Sequence, residues 1–191
     1  MKSLEEQMSF YAAYHQDARN KATHFVGVPA IVFSLMIPLG WLRADLGGLA
    51  VSAALVVMSA LVLYYLVLDV PLGVAMGAVF ALMLWAAEPL SGASLAVSLS
   101  WFLVLFVGGW ALQLWGHVYE GRKPALVDNL FQIFVAPIFL AAEVFFALGY
   151  KPDLHRRVLE RAQLSRAQSA DSSTTLMRTS SRSGASGSRS V

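Results

Sequence analysis

The chain has 191 residues, of which 57% are hydrophobic and only 14% charged, and its mean hydropathy is +0.60. This composition excludes an ordinary water-soluble domain, in which about 25% of residues are charged. The formal net charge is +2, and the absence of cysteine excludes disulfides, thiolate metal sites and a cysteine nucleophile.

Residues 1–20 are predicted to form an amphipathic, partly helical lead-in. Leu4, Met8 and Tyr11 follow the i, i+4, i+7 pattern of one helix face. The lead-in is polar and charged, so it differs from the apolar segments that follow it.

Long apolar runs make up most of the remaining chain. Four of them contain no Asp, Glu, Lys or Arg: 25–42, 46–68, 70–87 and 89–116. A run of about 18 such residues is the usual threshold for a membrane-spanning helix. Pro29 and Pro38 lie inside the first run and predict a kinked or broken helix there. A fifth apolar run, 130–150, contains Pro137 and Glu143.

The distribution of basic residues predicts the orientation of these runs. Basic residues cluster before the first run, after the fourth and after the fifth: Lys2, Arg19, Lys21, Arg122, Lys123, Lys151, Arg156, Arg157, Arg161 and Arg166. The positive-inside rule places all three clusters on the cytoplasmic side. With four membrane-spanning helices, the first two clusters both lie on the cytoplasmic side. A fifth spanning helix would place the basic tail on the opposite side of the membrane. We therefore predict an all-α, polytopic integral membrane helical bundle of about four spanning helices, with a re-entrant or bent fifth segment.

These features predict that the chain divides into four parts. They are the lead-in (1–20), a membrane helical domain (21–150), a surface helix (151–164) and a Ser- and Arg-rich tail (165–191). The tail has too few large apolar residues to form a packed structure, so it is predicted to be disordered.

Three of the four histidines lie in two polar motifs at the borders of apolar runs. The motifs are His15-x4-Asn20-x3-His24-x2-Gly27 and His117-x2-Glu120-x3-Pro124-Ala125. Ionisable groups at membrane depth are costly and are usually functional. Because the predicted topology puts both motifs on the same membrane face, they indicate a metal site, although spacing does not identify the ion.

Helix geometry restricts how His15 and His24 can cooperate. Nine residues of continuous helix give about 900° of rotation and about 13.5 Å of rise, which places the two side chains on opposite faces. We therefore predict a break in residues 16–20, with Asn20 as the N-cap of the next helix. Asn20 shares a helix face with His24, and His117 shares one with Glu120.

Other charged residues at these borders are weaker candidates. Glu143 could be a metal ligand, could orient a histidine, or could pair with Arg122 or Lys123. Arg19, Lys21 and Arg122 could bind a substrate carboxylate, although cations at this border usually extend to lipid headgroups. His155 lies among arginines and is predicted to be solvated.

The two motifs, with Pro137, Glu143, Phe146 and Gly149, resemble those of the Mpo1-like family. The resemblance covers roughly residues 4–152. It implies a membrane enzyme that shortens 2-hydroxy fatty acids by one carbon, an α-oxidation that uses Fe²⁺ and O₂ in fatty acid and long-chain-base catabolism. The expected partners are the 2-hydroxy fatty acid, O₂ and membrane lipid, with no nucleic acid. The expected location is the inner membrane of a bacterium or the endoplasmic reticulum of a eukaryote, with the active face cytoplasmic.

The same resemblance implies roles for the motif residues. His15, His24 and His117 are expected to bind iron, with Glu120, also a catalytic candidate, and Asn20 as further ligands or as residues that orient the ligands. Glu143 is expected to orient a ligand because of its place in the fifth apolar run, independently of the resemblance.

The residues alone leave two other functions open. One is a non-enzymatic membrane carrier or lipid-binding scaffold whose His/Glu cluster is a structural metal site. The other is a zinc-dependent lipid hydrolase. Bound iron and O₂-dependent turnover would distinguish the dioxygenase from both.

Overall fold

The computed structural model describes residues 3–121, 123–124 and 131–168. Seven helices and one short β-hairpin occur in these ranges: α1 (Leu4–Ala12), α2 (Ala18–Trp41), β1 (Arg43–Asp45), β2 (Ala50–Ser52), α3 (Ala53–Leu68), α4 (Val70–Ser91), α5 (Leu95–Glu120), α6 (Gln132–Ala147) and α7 (152–168). The all-α class is confirmed. Arg122, Ala125 and the tail segment 169–191 lie outside the described residues.

Three of the described helices, α2, α4 and α5, are long and apolar enough to cross a membrane. They indicate an integral membrane protein. The helices α3 and α6 are also apolar, but each has only 16 residues. Helix α3 is shorter than the apolar run 46–68 because the first residues of that run form a turn and β2, which pairs with β1.

The prolines do not interrupt their helices. Helix α2 continues through Pro29 and Pro38, and α6 continues through Pro137. Of the predicted kinked or broken first helix, the break is therefore wrong. Helix α2 packs extensively against α5, and each proline removes one backbone donor without ending the helix.

Glycine allows α2 and α5 to approach closely near the first and second motifs. A Cβ atom on Gly116 would overlap Thr23 Oγ1 and would lie 2.5 Å from Asn20 Oδ1. A Cβ atom on Gly109 would lie 2.7 Å from Ile31 Cγ1. These distances are too short for real contacts. Helices α2 and α5 can therefore approach this closely only because both positions are glycine.

Helices α2 and α4 run parallel, so both begin at the same end of the bundle. Ser91 Oγ donates a hydrogen bond to Ile37 O, which joins the far ends of the two helices. The near end contains Asp17 and Asp69, which cap α2 and α4, and Glu120, where α5 ends. We call this the histidine end.

The chain after α5 returns to the histidine end. Glu120 accepts a hydrogen bond from Asp17 N, and Lys151 pairs with Asp69. Between them α6 packs against α1, α2 and α4, with Val135, Ile138 and other apolar residues buried. Helix α7 then lies beside α1, where Arg157 and Arg161 both pair with Glu5.

Candidate metal centre

His15, His24 and His117 meet at the histidine end. Their exposed fractions are 2%, 3% and 6%. One ring nitrogen from each lies within 4.8 Å of the others. The three come from the α1–α2 connection, the first turns of α2 and the last turn of α5. The structure thus brings together the three histidines that the sequence singled out.

The chain break that this arrangement requires is confirmed. Helix α1 ends at Ala12, and α2 begins at Ala18. Asp17, not Asn20, is the N-cap, because its carboxylate accepts a hydrogen bond from Arg19 N at 2.8 Å. The predicted cap was therefore wrong. Hydrogen bonds from Arg19 lower the pKa of Asp17 to about 2, so the cap is ionised at neutral pH.

Asn20 instead lies in the first turn of α2, fully buried. Its Nδ2 donates to Tyr14 O at 3.3 Å and to Glu120 Oε2 at 3.2 Å. The side-chain amide of Asn20 thus links the α1–α2 connection to the end of α5. The backbone carbonyl of Asn20 accepts a hydrogen bond from the His24 ring.

Backbone carbonyls determine the tautomers of two histidines. His15 Nδ1 lies 2.8 Å from Tyr11 O, and His24 Nδ1 lies 2.8 Å from Asn20 O. A carbonyl oxygen can only accept, so both Nδ1 atoms carry hydrogen and both Nε2 atoms keep a lone pair when the rings are neutral. The Nε2 atoms are 3.1 Å apart.

This pair of facing lone pairs suits a bound cation. Burial, with a smaller effect from neighbouring His24, lowers the pKa of His15 well below its ordinary value, so a proton is not favoured between the two rings. When Nδ1–H of a histidine donates to a carbonyl oxygen, the ring is held in place and Nε2 presents its lone pair. Such rings are common ligands of divalent transition metals. The residues present therefore fit a metal ion.

Aromatic packing restrains the His15 ring. Tyr11 stacks on it with ring centroids 4.0 Å apart and an interplanar angle of 6°. Phe139 of α6 packs against Tyr11 at 4.4 Å. The connection between α1 and α2 consequently places His15 in one orientation although it lies outside a helix.

Glu120 lies beside the three histidines, but its oxygens already have partners. Oε2 accepts from Gln16 N at 3.0 Å and from Asp17 N at 2.8 Å, in addition to the bond from Asn20. Oε1 accepts from Arg166 Nη1 of α7 at 2.8 Å. The carboxylate therefore holds the α1–α2 connection in place, and its role in catalysis stays a prediction.

The cations that were candidates for substrate binding lie in ion pairs. Lys21 Nζ is 2.7 Å from Glu143 Oε2. Arg19 pairs with Asp17 and lies 4.5 Å above the Tyr119 ring. Glu143 is thus ion-paired, and the partner that the structure describes is Lys21 rather than the expected Arg122 or Lys123. Arg122 lies outside the described residues.

His155 is separate from the metal centre. Its ring stacks on Phe146, with centroids 4.6 Å apart and an interplanar angle of 12°. It is absent from the three-histidine group found among the described residues.

The histidines line a cavity of about 60 Å³ between α2, α5 and α6. Two glutamines also line it: Gln113 and Gln132. Neither glutamine was among the predicted site residues, which were ionisable side chains and Asn20. Gln113 had a local signal, since it precedes His117 by four residues and therefore shares its helix face. Gln132 had a weaker signal, since it is a polar residue inside the apolar run 130–150.

Comparison with known proteins identifies the family. Residues 1–148 match the family described as 2-hydroxy-palmitic acid dioxygenase Mpo1-like. The 2-hydroxy-palmitic acid dioxygenase MPO1 of Saccharomyces cerevisiae is 35% identical over 153 residues, which cover 79% of this chain and 84% of the yeast protein. No solved structure matches the chain. The match extends over both histidine motifs, and the chain belongs to the Mpo1-like family of 2-hydroxy-palmitic acid dioxygenases.

Proposed function

We propose that this protein is an Fe(II)-dependent dioxygenase that shortens 2-hydroxy fatty acids by one carbon. The observation that carries the proposal is the buried convergence of His15, His24 and His117. Imidazole donors suit iron, zinc, copper and nickel alike. Zinc has no redox chemistry. Reaction with O₂ therefore argues against zinc, and among the redox-active ions iron is the one that the resemblance to the Mpo1-like family implies.

The proposed reaction balances without an outside reductant. A 2-hydroxy acid and O₂ give the acid shortened by one carbon, CO₂ and water. The C1–C2 bond breaks, C1 leaves as CO₂, and C2 is oxidised from an alcohol to a carboxylic acid. The electrons released by these two carbons reduce O₂ completely. Iron, when bound, would supply the site of O₂ activation.

The chain's own residues have the following proposed roles. His15, His24 and His117 hold the metal. The carbonyl groups of Tyr11 and Asn20 keep the Nδ1 atoms of His15 and His24 protonated, which directs Nε2 of each ring to the ion. Burial of the three rings excludes bulk water from the reacting groups.

We further propose that α2, α3, α4 and α5 cross the membrane and that the histidine end is cytoplasmic. The described basic residues at the histidine end include Arg19, Lys21 and Lys151, whereas Arg43 lies at the opposite end. Helix α3 is about 24 Å long. A bilayer core is about 30 Å thick, so α3 requires local thinning or help from the adjoining β-hairpin. The segment from α5 to α7 re-enters without crossing.

Metal analysis combined with O₂ uptake tests this function. Protein purified without oxygen should contain iron close to stoichiometric with the chain and should consume O₂ when 2-hydroxypalmitate is added. His24→Ala and His117→Ala should each remove the iron and the uptake, because each deletes one of three ligands, while both variants stay inserted in the membrane.

His155→Ala is the matched control and should keep both properties, since this ring stacks on Phe146 away from the cluster. Wild-type protein without iron, or full uptake by the His24 and His117 variants, would contradict the proposal. Zinc together with turnover in the absence of O₂ would indicate a hydrolase instead.

A further inference from the structure

Two buried amides face the cavity beside the histidines. Gln132 is 2% exposed, and neither its Nε2 nor its Oε1 has a hydrogen-bond partner among the residues that the structure describes. Gln113 Oε1 is likewise unpartnered within those residues. Burial of an amide without partners is unfavourable, so such a group calls for a partner that the described residues do not supply, and a ligand in the cavity is one.

The amide of Gln132 matches the polar head of a 2-hydroxy acid. A primary amide presents a donor and an acceptor side by side. A 2-hydroxy carboxylate presents an acceptor and, on the neighbouring carbon, a donor. Nε2 can thus donate to the carboxylate while Oε1 accepts from the 2-hydroxyl group. Gln113 Oε1 offers a second acceptor in the same cavity.

We propose that Gln132, assisted by Gln113, binds the carboxylate and the 2-hydroxyl group of the substrate and makes the site selective for 2-hydroxy acids. The proposal rests on the proposed function for the identity of the substrate. An acid without the hydroxyl group leaves Gln132 Oε1 buried and unpaired, and sites built to bind a hydroxyl group reject such analogues strongly.

Two neighbouring cavities match the polar head and the apolar chain of a fatty acid in size and lining. The cavity next to the histidines, at about 60 Å³, has room for a polar head but not for a long acyl chain. Val28 and Val32 line both this cavity and a second cavity of about 180 Å³ between α2, α4 and α6. The second cavity has an almost wholly apolar lining that includes Phe80 and Leu140. The head therefore binds at Gln132, and the acyl chain extends past the two valines.

The two described cations that were candidates for binding the substrate carboxylate do not line this cavity. Lys21 is paired with Glu143, Arg19 is paired with Asp17, and neither cation lines the cavity. Among the described residues, the groups that line the cavity and can recognise the polar head of the substrate are therefore neutral.

The variant Gln132→Met tests the proposal, because methionine has a similar volume and no polar atom. We would measure equilibrium binding of 2-hydroxypalmitate and of palmitate to the iron-containing protein without oxygen, and the melting temperature without ligand. Wild-type protein should prefer 2-hydroxypalmitate by at least about tenfold. Gln132→Met should reduce this preference by about tenfold or more, since it removes a charge-assisted hydrogen bond and a second bond to the hydroxyl group. Its melting temperature should rise, because an unpaired buried amide is replaced by an apolar group.

Gln7→Met is the matched control. Gln7 is also buried, but its Nε2 donates to Tyr64 OH at 3.0 Å, outside the cavity. This variant should have a lower melting temperature and an unchanged preference for 2-hydroxypalmitate. Opposite changes in melting temperature at the two positions distinguish a ligand-binding amide from a structural one.

Three results would overturn the proposal: no preference in the wild type, an unchanged preference in Gln132→Met, or loss of iron from Gln132→Met to the extent seen in His24→Ala. The last would show that Gln132 acts on the metal. Failure of the proposed function is a different result, namely absence of O₂-dependent turnover by the wild type. The binding preference is measured without oxygen, so it decides the role of Gln132 independently of turnover.

Discussion

Glu120 joins three parts of the chain through one buried carboxylate. It accepts backbone hydrogen bonds from the connection before α2, a side-chain bond from Asn20 and an ion-paired bond from Arg166. Every one of these partners is a donor. The position therefore suits a carboxylate, because a glutamine would place an NH₂ group among donors. Since His15 belongs to this connection, Glu120 positions a proposed metal ligand.

The variant Glu120→Gln should lower the affinity for iron by about 10- to 100-fold, as expected for a residue that orients a metal ligand. Competition with a chelator of known affinity measures this change. Glu88→Gln is the control, because Glu88 is an exposed partner of Arg43 at the other end of the bundle, and it should leave iron binding unchanged. Unchanged iron affinity together with lost turnover in Glu120→Gln would show instead that Glu120 acts directly in catalysis.

The candidate metal centre depends on the contact between helices α2 and α5. His24 and His117 belong to different helices, and their rings meet because the helices approach closely where Gly116 faces Thr23 and Asn20. Small residues at helix contacts are a general means of close packing in membranes. Gly116 precedes His117 directly, so the close approach occurs at the site itself.

The variant Gly116→Ala should separate the two helices at the metal centre. Its Cβ atom would overlap Thr23 Oγ1, and we expect a loss of about 1–3 kcal/mol in stability from overpacking, with loss of bound iron. Thermal unfolding in detergent and metal analysis measure the two effects.

Gly108→Ala on the same helix provides the control. A Cβ atom there meets no heavy atom within 4 Å among the described residues, so this variant should keep its iron. Its stability should be unchanged or higher by about 0.5–1 kcal/mol, the usual gain of alanine over glycine inside a helix. Equal behaviour of the two variants would contradict the importance of the α2–α5 contact.

The path of the chain after α5 decides the topology of the whole molecule. The contacts of Glu120 and Lys151 place both ends of this segment at the histidine end. This agrees with the basic residues on α7, which the positive-inside rule assigns to the cytoplasmic side. Cysteine is absent from the chain, so single cysteines introduced at exposed sites report on topology without background.

The variants Ala18→Cys and Ala167→Cys should react with a membrane-impermeant maleimide from the same side of the membrane. Ala44→Cys and Ala93→Cys, at the opposite end of the bundle, should react from the other side. All four positions are exposed in the structure. Labelling of intact cells and of inverted vesicles provides the measurement, and reaction of positions 18 and 167 from opposite sides would show that the fifth apolar segment crosses.

The sequence by itself determined those features that depend on composition and short spacing. Apolar runs indicated membrane helices, because a bilayer requires a minimum length of apolar residues. The nine-residue separation of His15 and His24 required a helix break between them, and the structure has one before Ala18. The two motifs also directed attention to the three histidines that converge.

Only the tertiary structure decided the partners that are distant along the chain. Glu120 lies more than 100 residues from Gln16 and Asp17, and Lys21 lies 122 residues from Glu143. Gln132 became a candidate only when α6 packed beside the histidines. Helix periodicity records which face of a segment is buried, but it does not record which other segment covers that face. The packing of the helices therefore decided the cavity and its amides.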